Sequence, residues 1–272
     1  MPELPEVETV RRGIEPHVVG RRIEAVRIYD ARLRWPVPRQ LPKLLAGQRI
    51  AGTSRRGKYL LLHLDGGDRV LLHLGMTGRI YVLDRGHPRL KHDHVDFELS
   101  GRTVLRFHDP RRFGAVLLWK SGDAEHKLLR GMGPEPFAEE FSGDYLYKLS
   151  RGRGAPLKNF VMDGRVVVGA GNIYATEALF RAGLRPGRAA GGVSRARYAA
   201  LAGKIREVLA EAIEQGGTTL RDFRGSHGEQ GMFQTRLYVY GRAGEACLDC
   251  GTAVRRVVIG QRSSFYCPKC QR

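Results

Sequence analysis

Hydrophobic and polar positions change period twice along this chain of 272 residues. Near the N-terminus Val7, Val10 and Ile14 recur at helical spacing, which predicts a short amphipathic helix. Pro5 suits its first turn, Glu3 and Glu6 lie near the positive end of its dipole, and Pro16 predicts its stop. From about Arg22 to Lys120 the pattern becomes alternating or β-branched, in "RIEAVRIYD", "YLLLHLDGGDRVLLHL", "RIYVLD" and "VDFELSGRTVLRFHD", broken by turns. That predicts a mostly antiparallel sandwich or barrel. "GMGPEPF" (131–137) is a Gly/Pro break able to act as a hinge, and beyond it the period turns helical. The strongest helix is "SRARYAALAGKIREVLAEAIEQGG", with Ser194 as cap, Tyr198, Leu201, Ile205, Val208, Leu209 and Ile213 on one face, and Gly216 and Gly217 as the stop. It reads as a core helix. There is no internal repeat and no low-complexity tract.

Length and charge sharpen this picture. A chain of 272 residues exceeds a typical single domain, so two domains with separate cores are expected. Lys and Arg number 46 against 28 Asp and Glu, a formal charge of +18, which points to a polyanionic partner; the alternative is an incidentally basic, ribosomal-type protein. No apolar run reaches the length of about 20 residues that spans a bilayer. The chain opens with acids instead of a basic then apolar signal, so a soluble intracellular protein is expected.

All four cysteines stand at or beyond position 247. Cys247, Cys250, Cys267 and Cys270 form C-x2-C, sixteen residues, C-x2-C. The spacing fits one structural zinc held by four thiolates at the base of a hairpin, with two disulfides or a redox pair as the alternatives. Arg255, Arg256 and Arg262 lie between the ligand pairs and would put cations on that hairpin.

Other residues carry weaker signals, each with a plain alternative. Gly169, Gly171 and Asn172 precede a helical run, an arrangement that lets backbone N–H groups approach a phosphate or simply makes a turn. Lys158 in "APLKNF" adds charge to the same surface or is solvated, and Lys58 in "SRRGKYLL" binds phosphate or is merely exposed. Met76 in "LHLGMTGRIYV", with Arg111 and Phe113 in "FHDPRRFGAV", falls on turns between strands. Such residues are usually core, but in a basic protein they can form a wedge that enters a base stack.

Taken together, "PELPEVETV", "RRGKYLLL", "LGMTGR", "DPRRFG", "GNIYATEALF", "GGTTLRDF", "VYGRAGEACLDCGTAV" and "SSFYCPKCQ" resemble the bacterial formamidopyrimidine-DNA glycosylases over essentially the whole length. The resemblance implies an α+β fold: an N-terminal β-sandwich flanked by helices (1–130), a hinge (131–137), a helix-two-turns-helix domain (138–238) and a zinc finger hairpin (239–272), with DNA in the cleft between the halves. It implies a bifunctional DNA glycosylase and AP lyase of base excision repair that flips out 8-oxoguanine and formamidopyrimidines. By motif, Pro2 is the nucleophile, Glu3 the proton carrier, and Lys58 and Arg262 further catalytic groups that grip phosphate. Met76, Arg111 and Phe113 fill the space of the extruded base, Lys158, Asn172 and Arg262 hold phosphates, and a DNA-contacting histidine is expected at position 93 of "KHDHVD". "TTLRDFRGSHGEQGMF" corresponds to a loop that closes over the flipped base. The resemblance further implies duplex DNA with the lesion opposite cytosine as partner, a monomer, and a cytoplasmic place near the nucleoid. His108, Ala170 and Thr176 depart from the common Asn, Val or Ile, and Ser, and His108 leaves the geometry near Arg111 open.

Chemistry supports Pro2 independently. Once Met1 is removed, Pro2 exposes a secondary amine with an ordinary pKa of about 7.7–8.0, and a helix dipole aimed at it favours the neutral, nucleophilic form. A secondary amine condenses with a sugar C1′ to a cationic iminium, an electron sink that lets both phosphates leave by successive eliminations, while Glu3 shuttles protons. Two competitors remain: an endonuclease VIII-type glycosylase, which usually carries "PEGPE" where this chain has "PELPE", and a non-catalytic zinc-ribbon DNA-binding protein, which gives no reason for Pro2 beside Glu3.

Overall fold

The computed structural model describes residues 2–216 and 237–272, which fall into two compact units. The first, up to residue 130, opens with helix α1 (Leu4–Val18). Eight strands follow: β1 (Ile23–Ile28), β2 (Ile50–Arg56), β3 (Tyr59–Leu64), β4 (Arg69–His73), β5 (Arg79–Asp84), β6 (Asp93–Leu99), β7 (Thr103–His108) and β8 (Ala115–Trp119), with a short helix α2 (Leu41–Leu45) after β1. They form two four-stranded antiparallel sheets, ordered β1-β6-β7-β5 and β2-β3-β4-β8. Val26, Phe97 and Phe107 of one sheet share a core with Leu62, Val70 and Val116 of the other, and Val7, Val10 and Ile14 of α1 join it. The expected sandwich is therefore the one that forms.

Pro16 does not stop α1. The helix runs on to Val18, with Pro16 in its last turn, and the Val19 N–H still reaches the Glu15 carbonyl at 3.1 Å. A proline there forfeits only its own N–H bond to the preceding turn, and burial of Ile14 and Val18 holds the end in place.

The second unit contains residues 131–215 and 237–272. Its helices are α3 (Gly143–Ser150), α4 (Leu157–Met162), α5 (Asn172–Arg181) and α6 (Arg195–Glu214). Ser194 caps α6 as expected, and Tyr198, Leu201, Ile205, Val208 and Leu209 are buried; Ala212 takes the last core position, leaving Ile213 half-exposed. The hairpin of β9 (Arg255–Ile259) and β10 (Arg262–Tyr266) closes the chain. Among the described residues no helix is long and apolar enough to cross a membrane.

Candidate active site

The N-terminal proline stands at the head of α1. Pro2 is half-buried, and the Glu3 that follows it is the N-cap residue and only 3% exposed. The Glu3 N–H donates to Glu6 Oε2 at 2.7 Å, so one N–H of the helix start is satisfied by a carboxylate one turn inside. Glu6 is buried too, at 4% exposure. The positive end of the helix dipole thus points at position 2, which lowers the proton affinity of an amine there.

A charged clamp fixes this helix on β2. Glu8 takes Arg11 and Arg12 at 2.9 Å and Arg55 at 3.3 Å, while Arg11 also reaches Thr53 at 3.0 Å and Glu15 at 2.9 Å. These cations hold the Glu8 carboxylate below the usual range despite burial, which acts in the opposite direction. Three residues beyond Arg55 the β2–β3 hairpin turns through Gly57 and Lys58, with Arg56 paired to Tyr59. Gly57 has φ +56°, the first-position value of a two-residue loop that other residues adopt poorly. Lys58 consequently rides a rigid two-residue tip and is half-buried.

Met76, Arg111 and Phe113 sit on two neighbouring loops. Met76 is 38% and Phe113 42% exposed, unusual for apolar side chains beside a well-packed core. Gly75, at φ +59°, lies so close to the other loop that a Cβ would stand 2.4 Å from the Phe113 carbonyl carbon. Buried Asp109 ties the loops together, accepting the Thr77 hydroxyl at 2.6 Å, the Arg111 N–H at 3.3 Å and the Gly114 N–H at 2.8 Å. The Arg111 guanidinium lies 4.8 Å from the centre of the Phe113 ring. Asp109 and Thr77 were not singled out from sequence, although the "DPRRFG" stretch contains the first.

The histidine expected at position 93 requires correction. Position 93 is Asp93, between His92 and His94. Asp93 is buried and bonded to His108 Nδ1 at 2.7 Å, to Arg106 at 3.1 Å and to the Leu90 N–H at 2.7 Å, so its role is to brace the end of β7. His94 is buried against the Asp109 carbonyl at 2.8 Å, which leaves half-exposed His92 as the histidine of this stretch able to meet a ligand. The pairing also answers the question about His108: its ring is engaged with Asp93, one residue before Asp109.

In the second unit Lys158 is fully buried and so is not a solvated lysine. Its ammonium donates to the Ser263 carbonyl at 3.0 Å and to Ser264 Oγ at 2.6 Å. Asn172, at the start of α5, donates to the same Ser263 carbonyl at 3.2 Å and to the Tyr240 hydroxyl at 3.3 Å. Two helices therefore grip the hairpin at one carbonyl, next to exposed Arg262. Sequence reasoning missed Glu177, a buried α5 carboxylate that accepts the N–H groups of Tyr238, Val239 and Tyr240 at 2.8–3.0 Å and so anchors the chain leading into the finger.

The four cysteine sulfurs lie within 4.8 Å of one another, with Cys247 and Cys270 at 3.9 Å and Cys250 and Cys267 at 3.4 Å. A tetrahedral zinc with Zn–S near 2.3 Å requires S···S of about 3.8 Å, so the donor set and its spacing fit. Burial pushes the Cys247 thiol up, and four thiolates this close need a cation among them. Gln271 braces the cluster, accepting the Cys267 N–H at 2.8 Å and donating to the Leu184 carbonyl at 2.7 Å. The closing loop at "TTLRDFRGSHGEQGMF" and the state of Met1 lie outside the described residues.

A buried carboxylate at a helix head, a lysine on a tight hairpin tip and a four-cysteine cluster at the base of a basic hairpin define a class: basic zinc-finger proteins suited to a polyanionic partner. Comparison supplies the family. Residues 1–116 match the formamidopyrimidine-DNA glycosylase N-terminal domain, 132–224 its H2TH domain, and 244–272 the zinc finger found in FPG and IleRS. The chain is 57% identical over all 272 residues to the formamidopyrimidine-DNA glycosylase of Pseudomonas putida (strain GB-1), covering 100% of both chains. The crystal structure of the MutM (Fpg) protein from Thermus thermophilus is 43% identical, with TM-score 0.88 and coverage of 99% of this chain and 98% of that one. A point mutant of the Lactococcus lactis Fpg, solved in complex with a Fapy-dG containing DNA, is 33% identical, with TM-score 0.92 and 100% coverage of both. The chain belongs to the formamidopyrimidine-DNA glycosylase family. It is thus a base-excision-repair enzyme, a DNA glycosylase with AP-lyase activity, and its cysteine cluster is a structural zinc site.

Proposed function

We propose that this enzyme flips oxidised purines, 8-oxoguanine and formamidopyrimidines, out of duplex DNA, excises them with Pro2 as nucleophile, and cuts the strand by β,δ-elimination. The observation that carries the reading is Pro2 directly before buried Glu3 at the positive end of α1. The Pro2 nitrogen attacks C1′, the C1′–base bond breaks, and Glu3 carries the protons that move between sugar and base. The C1′–O4′ bond then opens, with O4′ taking its proton from Glu3, and the nitrogen lone pair forms the C1′ iminium; this draws electrons from C2′, whose proton is lost as the 3′ phosphate departs, and a second elimination releases the 5′ phosphate.

Extruding a base costs a few kcal/mol. Met76 and Phe113 offset part of that cost by filling the vacated stack from loops that Asp109 holds rigid. Arg111 faces the orphaned base, and because a guanidinium has only donors it favours cytosine, with acceptors N3 and O2, over adenine. Lys58, His92 and Arg262 contact phosphates, while Lys158 and Asn172 act largely through the Ser263 carbonyl that sets Arg262. Phosphate contacts read no sequence, which suits a target that lies anywhere. Solved relatives from Lactococcus lactis bound to Fapy-dG and abasic-site DNA support this assignment of the ligand. We assign residues 1–130, 138–238 and 239–272 as catalytic, helical and finger domains around a hinge at 131–137, working as a monomer in the cytoplasm near the nucleoid.

The test is a labelled duplex with 8-oxoguanine opposite cytosine. The expected products carry phosphate at both new ends, and Glu3→Gln slows their formation severely. An intact duplex after prolonged incubation with the zinc-loaded enzyme would contradict the reading and favour a DNA-binding protein without catalysis.

A further inference from the structure

The second unit has a concave site whose lining includes none of the residues assigned above. It is a cleft of about 500 Å³ between the 185–188 turn and one face of the β9–β10 hairpin. Its floor is Pro186, Val257, Ile259 and the Tyr266 ring. Strand alternation explains the last three: Val257 pairs with Ser264 and Ile259 with Arg262, so Val257, Ile259 and Tyr266 share one face. Arg185, Arg188 and Arg272 also line it, and among the described residues no acidic side chain does.

The walls are fixed by hydrogen bonds. The Leu157 N–H donates to the Arg188 carbonyl at 2.7 Å and the Lys158 N–H to the Pro186 carbonyl at 3.0 Å, seating the turn on α4. On the other side the Arg272 N–H reaches the Gly183 carbonyl at 3.0 Å, and Arg185 Nε the Gln271 carbonyl at 3.2 Å. Gln271 in turn binds the Cys267 N–H, so this wall is continuous with the zinc knuckle. The cleft is therefore preformed, which spares an occupant the cost of ordering it.

Its chemistry selects among anions. A phosphate ribbon offers nothing apolar to set against the floor, where Val257 stays 40% exposed. Guanidiniums around an apolar floor match an apolar side chain flanked by carboxylates. Beyond the glycosylase activity, we propose that this cleft docks an acidic peptide segment of a partner protein, with a leucine or phenylalanine anchor on the floor of Pro186, Val257, Ile259 and Tyr266 and flanking carboxylates on Arg185, Arg188 and Arg272.

The test uses the full zinc-loaded chain and a fluorescein-labelled peptide, Asp-Glu-Leu-Phe-Asp-Glu, against the equally charged Asp-Glu-Gly-Ser-Asp-Glu. Anisotropy is read at physiological ionic strength to suppress diffuse attraction by a chain of charge +18. The first peptide should bind about tenfold or more tightly than the second, and Arg188→Glu and Val257→Asp should each weaken it about tenfold. Both variants should retain zinc and 8-oxoguanine excision; if either loses zinc, Arg188→Ala and Val257→Ser replace it. Equal binding of the two peptides, no binding, or binding untouched by the variants overturns the proposal. So does a loss of duplex-DNA affinity in the variants without loss of peptide, which would make the cleft part of the DNA surface.

Discussion

Asp109 accepts the Thr77 hydroxyl at 2.6 Å, and that bond joins the loop carrying Met76 to the loop carrying Arg111 and Phe113. Both ends matter, because the Arg111 N–H also donates to Thr77 Oγ1 at 3.1 Å. Replacing Thr77 by Val keeps the shape and removes the bridge. The expected cost is about 1–2 kcal/mol of stability, with slower excision from a lesion duplex. Chemical denaturation and single-turnover excision check this, and cleavage of a preformed abasic site should be affected least.

Arg111→Ala should spare lyase activity on a preformed abasic site and lose most of the preference for cytosine over adenine opposite 8-oxoguanine. One good bidentate contact corresponds to about 1–3 kcal/mol. Excision rates for the two pairings give the answer, and an unchanged ratio would move opposite-base reading to another residue.

His73 makes the Met76 turn sensitive to acid. Its Nδ1 accepts the Gly75 N–H at 3.0 Å, which requires the neutral ring. Burial first, then the nearby charges of Lys58 and Arg34, push its pKa down to about 4. Between pH about 6.5 and about 4 the unfolded chain takes up a proton that the folded chain refuses. Stability is therefore full above pH 6.5 and falls through that window, by up to about 3 kcal/mol from this residue. Urea midpoints measured across the window should fall less steeply in His73→Gln than in the parent.

The cysteine cluster predicts one zinc per chain. Cys267→Ser should lower zinc content and weaken DNA binding while the N-terminal sandwich keeps its far-ultraviolet signature, since no cysteine lies in that unit. Metal analysis with a DNA titration decides, and full-strength binding by metal-free protein would show the finger to be dispensable.

Apolar and β-branched runs broken by turns revealed the antiparallel strands, several of them buried on both faces, and the helical period revealed α6, whose one buried face imposes its spacing on the sequence. The zinc ligands were legible because they are local. What escaped depends on distant partners. Lys158 reads as a solvated lysine until Ser264, 106 residues on, takes its ammonium, and Glu177 gives no sign that it will cap the N–H groups of residues 238–240. Pro16 misled because the rule against proline in helices is weakest in a last turn pinned by Ile14 and Val18. Position 93 is aspartate in the sequence itself, so the histidine expected there was off by one residue; what the sequence does not show is that His94 is buried while His92 stays accessible.

The central claim is that the Pro2 amine forms the covalent bond to the sugar. Borohydride added during cleavage of an 8-oxoguanine duplex reduces the iminium and traps enzyme on DNA, and peptide mapping by mass spectrometry locates the link. The account predicts an adduct on the N-terminal peptide at Pro2, formed only by chains from which Met1 has been removed. An adduct at Lys58, or trapping of equal yield by chains that retain Met1, would contradict it.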